Sequence, residues 1–145
     1  MVIGIIGENC SGKSTLAKQV KAAIGAEIVT GKDYLRMARS ESEAAALFRE
    51  KLQHAMDAGN IIYVISEPEH LRFLPEGAIR ILVKADLETI KERFKARMRG
   101  NLPAPVVQML EKKHGSFDSG SYDYCFDGVN GAAASLCETL KERFS

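Results

Sequence analysis

The sequence lacks the features that define several broad classes of protein. It has only three cysteines, Cys10, Cys125 and Cys137, with no CxxC pair. This odd set excludes a four-cysteine zinc site and favours reduced thiols. No apolar run reaches the roughly 20 residues of a membrane span, and the N-terminal MVIGIIG leads into a glycine loop rather than a cleavage site. We therefore expect a cytoplasmic protein without a membrane partner.

The sequence also lacks an excess of charge of either sign. Lysine and arginine number 20 against 19 aspartates and glutamates, so the formal net charge is +1. This balance gives no reason to expect nucleic acid as a partner. The length of 145 residues, with 46% hydrophobic and 27% charged residues, fits a single globular domain over 1–145. We expect a monomer or a weak homodimer.

Short β-branched runs alternate with helical patterns along the whole chain. Five runs predict strands: Val2 to Ile6, Glu27 to Thr30, Ile61 to Ile65, Ile79 to Val83, and Tyr122 to Phe126. Several of them are apolar at every position, which is typical of parallel strands covered by helices on both faces. The pattern predicts a three-layer α/β/α fold around a five-stranded parallel sheet.

Capping signals mark the predicted helices between these strands. The first helix begins at Ser14 and ends at Gly25. Ser40 and Asp86 are predicted N-caps of the second and third helices. A fourth helix is predicted over about 105–114. The second helix has the apolar stripe Ala44, Leu47, Leu52, Ala55 and Met56. The last helix has the stripe Ala133, Leu136, Cys137, Leu140 and Phe144.

The segment from Gly7 to Ser14 reads GENCSGKS and matches the pattern GxxxxGK[ST] between a predicted strand and a predicted helix. In this motif, glycines let backbone N–H groups converge on phosphate at the positive end of a helix. Lys13 is predicted to bind the β- and γ-phosphates, and the Ser14 hydroxyl to bind Mg²⁺. The expected cofactors are therefore ATP and Mg²⁺. The predicted nucleotide-binding residues are Gly7, Asn9, Cys10, Ser11, Gly12, Lys13, Ser14 and Thr15.

Two further segments carry a family resemblance. IVTGKDYLR, from Ile28 to Arg36, resembles the acceptor segment of adenylate kinases, a strand followed by S/T-G-D-x-L-R, with Lys32 inserted. ERFKAR, from Glu92 to Arg97, resembles the R-x-x-x-R at the lid edge of the same enzymes. Together with the phosphate loop, these segments resemble the P-loop nucleoside monophosphate kinases. The resemblance implies the strand order 2-3-1-4-5, acceptor-binding helices at about 31–59 and a short lid at about 97–105.

The resemblance also implies roles for individual residues. Thr30, Gly31 and Arg36 would contact the acceptor, while Arg93 and Arg97 would straddle the transferring phosphates. Arg93 and Arg97 lie one helical turn apart and repel each other unless an anion lies between them, although a solvated helix end would also explain them.

Asp33 has a different precedent within the small kinases. In enzymes that resemble shikimate kinase, an aspartate after the second strand orients or deprotonates the acceptor hydroxyl. The predicted catalytic residues are therefore Lys13, Arg93, Arg97 and Asp33. The alternative for Asp33 is a simple turn or helix cap.

The chain departs from the family after the third predicted strand. Adenylate kinases have D-G-F-P-R there, whereas this chain has SEPEHLR. Glu67 in this segment is a predicted Mg²⁺ ligand, and Arg72 is a candidate replacement for the missing arginine. Two interpretations remain open for the loop 127–130, which either approaches the adenine ring or only forms a turn. The three histidines have no ligand spacing and are predicted to be structural.

Taken together, the motifs predict Mg²⁺-dependent transfer of the γ-phosphoryl group of ATP to a small acceptor. A nucleoside monophosphate is the first expectation. A small-metabolite kinase of the shikimate kinase type and an ATP-binding protein without kinase turnover are the alternatives. A GTPase switch is less favoured because the sequence contains no NKxD-like guanine signature.

Overall fold

A parallel five-stranded sheet forms the centre of the computed structural model, which describes residues 1–143. Its strands are β1 (Val2–Ile6), β2 (Glu27–Thr30), β3 (Ile61–Ile65), β4 (Ile79–Lys84) and β5 (Tyr124–Asp127). They lie in the order β2-β3-β1-β4-β5, with every neighbouring pair parallel. The predicted strand order is confirmed. All residues of β1 and β3 are buried, as expected for strands covered on both faces.

Helices cover both faces of the sheet. They are α1 (Lys13–Ile24), α2 (Glu41–Ala55), α3 (Leu87–Arg97), α4 (Ala104–Lys113) and α5 (Ala133–Glu142). Helices α1 and α5 pack on one face, and α2 packs on the other with two 3-10 helices, Asp33–Met37 and Pro68–Phe73. None of the helices within 1–143 is long and apolar enough to cross a membrane. Phe144, predicted for the apolar stripe of the last helix, lies outside the described residues.

The predicted N-caps form as expected. The Ser40 hydroxyl accepts a hydrogen bond from the Glu43 N–H at 3.2 Å, and the Asp86 carboxylate accepts one from the Thr89 N–H at 3.2 Å. The apolar stripe of α2 is wrong at one position. Leu47 is 37% exposed, whereas Phe48 is fully buried and stacks on Tyr34. The aromatic side chain, rather than the leucine beside it, faces the sheet.

The fifth strand begins later than predicted. Tyr122 and Asp123 precede β5. The Asp123 carboxylate accepts the N–H of Arg80 at 2.8 Å, and the Asp123 N–H donates to the Arg80 carbonyl at 2.8 Å. The Tyr122 hydroxyl donates to the carbonyl of Phe117. Regular pairing with β4 begins at Tyr124.

Helices α3 and α4 pack together beyond the carboxyl ends of the strands. Their apolar side chains, with Ile90 and Leu110 buried, pack against Cys10 and Ala85, which follow β1 and β4. The connection between the two helices is short, from Met98 to Pro103. This arrangement brings both helices next to the loop between β1 and α1.

Candidate phosphate-binding site

The loop between β1 and α1 has a backbone that requires glycine. Gly12 caps α1 with φ = 110°, and Cys10 also has a positive φ, 64°. A Cβ atom at Gly7 would lie 2.5 Å from the carbonyl oxygen of Val83 and 2.7 Å from the Ser11 hydroxyl. The chain therefore packs too tightly at Gly7 for any other residue. This is the tight curl that phosphate-binding loops use to present N–H groups at a helix start.

The Ser11 hydroxyl is a buried polar group in the phosphate loop. Ser11 is 1% exposed, and its hydroxyl has no hydrogen-bond partner among the described residues. Buried polar groups are almost always paired, and a hydroxyl in a loop at a helix N-terminus can donate to an anion bound there. Ser14 and Thr15, in the first turn of α1, are exposed and accessible to that ligand. The residues present fit a bound triphosphate.

Lys13 is held inside the loop. Its side chain is buried, and its Nζ donates to the carbonyl oxygen of Glu8 at 2.6 Å. Burial lowers the pKa of Lys13 to about 8. Cys10 and the carboxylates of Glu8 and Glu67 oppose this shift, whereas the nearby guanidinium of Arg97 adds to it. Arg97 and Glu67 therefore both act electrostatically on Lys13, in opposite directions.

Arg93 and Arg97 differ in their surroundings. The Arg93 guanidinium donates to the carbonyl oxygens of Cys10 at 3.0 Å and Gly128 at 2.9 Å. It thus links α3, the phosphate loop and the loop after β5. Arg97 is exposed and lines, with Thr15, a cavity of about 400 Å³ beside the phosphate loop. Arg93 lines the same cavity, so the two side chains border one space beside the phosphate loop. Their contact with the transferring phosphates stays a prediction.

The loop after β5 lies against the phosphate loop. A Cβ atom at Gly128 would lie 1.7 Å from the carbonyl oxygen of Ser11, so the two backbones touch at a point where only glycine fits. The Asp127 carboxylate accepts the N–H groups of Val129 and Asn130 at 2.8 and 3.1 Å. The segment 127–130 thus forms a turn, and it also borders the cavity that Arg97 lines. Its approach to the adenine ring stays a prediction.

The C-terminal end of α4 contacts Glu8 of the phosphate loop and Glu67 after β3. The sequence did not predict these contacts. Lys113 forms an ion pair with Glu67 at 2.8 Å, and His114 Nδ1 lies 2.9 Å from a carboxylate oxygen of Glu8. The Gly115 N–H donates to the other Glu8 oxygen at 3.1 Å. Motif spacing alone marks Glu8 as a variable loop position, and His114 has no ligand spacing. Only the folded chain brings these groups together.

The predicted acceptor-binding residues lie apart from the phosphate loop. The Asp33 carboxylate accepts the Thr30 N–H at 3.2 Å, which supports the turn interpretation, and the Gly31 carbonyl accepts the Tyr63 hydroxyl. Asp33 and Arg36 line a cavity of about 220 Å³ beside the edge strand β2. A cavity of about 500 Å³ between the phosphate loop and α4 is lined by neither Asp33 nor Arg36.

The candidate Mg²⁺ ligands do not form a complete protein site. No group of three His, Cys, Asp or Glu side chains within 1–143 could hold a metal ion. Mg²⁺ bound to a nucleotide needs only one or two protein ligands, because phosphates and waters supply the rest. Ser14 has an exposed side chain, and Glu67 is ion-paired with Lys113 at 2.8 Å. Both residues stay predicted ligands.

Comparison with known proteins identifies the architecture. No protein-family model and no curated protein matches the sequence. A sugar kinase from Janibacter sp. is 17% identical with a TM-score of 0.62, covering 97% of this chain and 92% of that chain. A shikimate kinase from Acinetobacter baumannii is 14% identical with a TM-score of 0.61, covering 99% and 92%. A deoxyadenosine kinase from M. mycoides is 15% identical with a TM-score of 0.57, covering 99% of both chains.

These likenesses extend over nearly the whole of each chain. They agree with the strand order and with the glycine loop between β1 and α1. The protein therefore has the fold of the small P-loop kinases.

Proposed function

We propose that the protein transfers the γ-phosphoryl group of ATP, with Mg²⁺, to a small-molecule acceptor. The observation that carries this proposal is the buried, unpartnered hydroxyl of Ser11 inside a glycine loop that also holds Lys13. Solved structures of the same fold are named as kinases of sugars, shikimate and deoxyadenosine. Their names support phosphoryl transfer as the reaction, and the acceptor has to be sought in this chain's own cavities.

In this proposal the residues act by positioning and by electrostatic stabilisation, which supply most of the catalysis in phosphoryl transfer. The loop N–H groups hold the phosphates, and Lys13 exchanges its bond to the Glu8 carbonyl for phosphate oxygens. Ser14 and Glu67 hold Mg²⁺, which when bound neutralises charge on the phosphates. Arg97 stabilises the charge that develops on the transferring group. Arg93 keeps the two flanking loops in place.

The segment 97–105 is the part of the chain that would close over the bound substrates. The connection from Met98 to Pro103 joins α3, which carries Arg97, to α4, whose end contacts Glu8 and Glu67. We propose that this segment is the short lid, which excludes water when the substrates are bound. The acceptor helices at 31–59, with Thr30, Gly31, Asp33 and Arg36, stay a prediction for the acceptor side of a single domain.

The direct test is ADP formation from Mg²⁺-ATP against a panel of nucleosides, nucleoside monophosphates and hydroxylated metabolites. Lys13→Ala serves as the blank for contaminating kinases. An acceptor that stimulates ADP release only with the intact protein supports the proposal. If ATP binds but no acceptor raises ADP release above the blank, the chain is a nucleotide-binding protein without kinase turnover.

A further inference from the structure

A cavity of about 500 Å³ lies between the phosphate loop, the end of β3 and helix α4. Asn9 of the loop, Glu67 after β3 and Met109 of α4 all line it. Glu67 is close enough to raise the pKa of Lys13 by its charge. The volume lies within the range of small-molecule sites. A molecule in this cavity would therefore lie against Glu8 and Asn9 of the phosphate loop.

The charges around this cavity do not favour a second phosphate. Two carboxylates line it, Glu8 and Glu67, and so do two ammonium groups, Lys112 and Lys113. Lys113 is already paired with Glu67 at 2.8 Å, and the Lys112 side chain is exposed to solvent. No arginine is among the described residues that line the cavity. Bidentate recognition of a phosphate dianion, which arginine provides, is absent there.

The arginines that could serve a phosphorylated acceptor have other contacts. The guanidinium groups of Arg72 and Arg49 lie 4.8 and 5.4 Å from the ring centre of Phe73. Arg36 lines the separate cavity beside β2. Arg72, the candidate replacement for the missing family arginine, is thus held on an aromatic face.

The walls of the cavity point to a partly apolar acceptor. Pro68, Pro105 and Met109 line it alongside the polar groups of Asn9 and Gln108. Proline and methionine surfaces pack against carbon atoms of a ring or chain. Asparagine and glutamine amides donate to and accept from hydroxyl groups. The lining suits an uncharged molecule that carries hydroxyl groups on a carbon framework.

We infer that this cavity takes an uncharged hydroxyl compound, such as a nucleoside or a polyol, and discriminates against the corresponding monophosphate. The inference rests on the proposed function, narrows its acceptor class and places the acceptor at this cavity, which no residue of the predicted acceptor segment 31–59 lines. A monophosphate placed here would add a dianion beside Glu8, Glu67 and the triphosphate of the donor, while Lys113 is already paired with Glu67 and Lys112 is exposed to solvent. Such like charges repel strongly in a partly buried site.

Matched pairs of acceptors test this preference in the unmodified protein. ADP release is measured with Mg²⁺-ATP for adenosine against AMP, cytidine against CMP, and a hexose against its 6-phosphate. At least a tenfold higher kcat/KM for the uncharged member of a pair is expected. Equal or better use of the monophosphates would overturn the inference while leaving the kinase proposal standing.

A binding measurement separates the inference from the catalytic proposal. The chain contains no tryptophan, so Ser116→Trp places a unique fluorophore at the edge of this cavity. Leu47→Trp, on the exposed side of α2, is the matched control. With a non-hydrolysable ATP analogue present, uncharged compounds are expected to change the emission of Ser116→Trp at concentrations at least tenfold below their monophosphates, and Leu47→Trp should not respond.

This readout does not require turnover. Preferential binding of the uncharged compounds supports the inference even if no compound stimulates ADP release, and in that case only the proposed kinase function fails. Preferential binding of the monophosphates overturns it. If the emission of Ser116→Trp changes with neither class of compound, and the kinetic comparison shows no preference for uncharged compounds, the inference is also overturned.

Discussion

Lys13 donates to the carbonyl oxygen of Glu8 across 2.6 Å, within the loop to which both residues belong. Lys13 is only 6% exposed, and burial lowers its pKa to about 8. The free protein therefore holds a buried cation whose only hydrogen-bond acceptor among the described residues is a neutral carbonyl. A bound triphosphate would supply the missing negative charge.

Replacing Lys13 with methionine should weaken nucleotide binding and stabilise the free protein. A charge-assisted contact contributes about 1.5 to 3 kcal/mol, so ATP affinity should fall by about tenfold to a hundredfold. Without nucleotide, the free energy of unfolding at pH 7 should rise by about 1 kcal/mol or more, since removing the desolvated charge outweighs the lost hydrogen bond.

Denaturant unfolding and titration with a fluorescent ATP analogue measure the two effects. Lys18→Met, on the exposed face of α1, is the control and should change neither quantity appreciably. A free Lys13→Met protein that is less stable than wild type would contradict the view that burial of the ammonium is unfavourable.

Nucleotide binding should be linked to protonation of Lys13. Its pKa of about 8 in the free protein must rise when phosphate binds, because the negative charge favours the ammonium form. Binding should therefore take up protons above pH 8, with affinity falling as pH rises, and should take up few from Lys13 at pH 7. Calorimetry of Mg²⁺-ATP binding at pH 7 and 8.5, in two buffers of different ionisation enthalpy, measures the uptake.

The lowered pKa of Lys13 also determines how the free energy of unfolding changes with pH. The pKa of Lys13 is about 8 in the folded protein and returns to its ordinary value of 10.5 in the unfolded chain. Between these values the unfolded chain binds more protons, so the contribution of Lys13 to the free energy of unfolding increases as pH rises from about 8 to 10.5. Lys13→Met should lack this pH-dependent increase in stability.

In the calorimetric experiment, proton uptake of equal size on Mg²⁺-ATP binding at pH 7 and 8.5 would argue against a lowered pKa of Lys13.

The fold and the phosphate loop were predictable because their signals are local. Consecutive apolar residues define β1, and the glycine spacing with Lys13 defines the loop that follows. The caps at Ser40 and Asp86 require only a side chain and an N–H group three residues later. The strand order came from resemblance to a family rather than from any local pattern.

The rest of the site depends on long-range contacts that have no sequence signature. Glu8 and His114 are 106 positions apart, and Glu67 and Lys113 are 46 apart. The sequence singled out Glu67 only as a predicted Mg²⁺ ligand, and nothing in it indicated that Lys113 or His114 would lie near the phosphate loop. The apolar stripe of α2 failed at Leu47 for a related reason, since helical spacing alone does not decide which of two adjacent apolar residues faces the core.

Substitution of Arg93 should mainly affect stability, whereas substitution of Arg97 should mainly affect turnover. Arg93 holds two carbonyl oxygens on different loops, so Arg93→Met should lower the free energy of unfolding by about 2 kcal/mol and weaken nucleotide binding. Arg97 is exposed, so Arg97→Met should leave stability near that of wild type. Its turnover should fall by about a hundredfold if it stabilises the transferring phosphoryl group.

Denaturant unfolding and steady-state kinetics with saturating ATP distinguish the two variants. The removal of Arg97 should also raise the pKa of Lys13, because its guanidinium lowers that pKa. Unchanged stability in Arg93→Met would show that its bonds to the two loops contribute little, and normal turnover in Arg97→Met would remove Arg97 from the mechanism.

Gly128 should be indispensable although it lies outside the phosphate motif. A Cβ atom there would lie 1.7 Å from the Ser11 carbonyl oxygen, a backbone atom that cannot move without displacing the phosphate loop. Gly128→Ala should therefore separate the two loops, weaken the Arg93 bond to the Gly128 carbonyl, and lower the free energy of unfolding by about 2 kcal/mol or more. Nucleotide affinity should fall with it.

Gly4→Ala is the matched control, since it makes the same change in the middle of β1. The nearest atom to its Cβ would be Cδ1 of Leu74 at 2.7 Å, the end of a flexible side chain that can shift. This variant should lose about 1 kcal/mol of stability and retain its affinity for the ATP analogue. Because both variants add one methyl group, a loss of nucleotide binding confined to Gly128→Ala would assign the effect to contact between the two loops. Nucleotide binding by Gly128→Ala at wild-type affinity would show that this contact is not needed for the site.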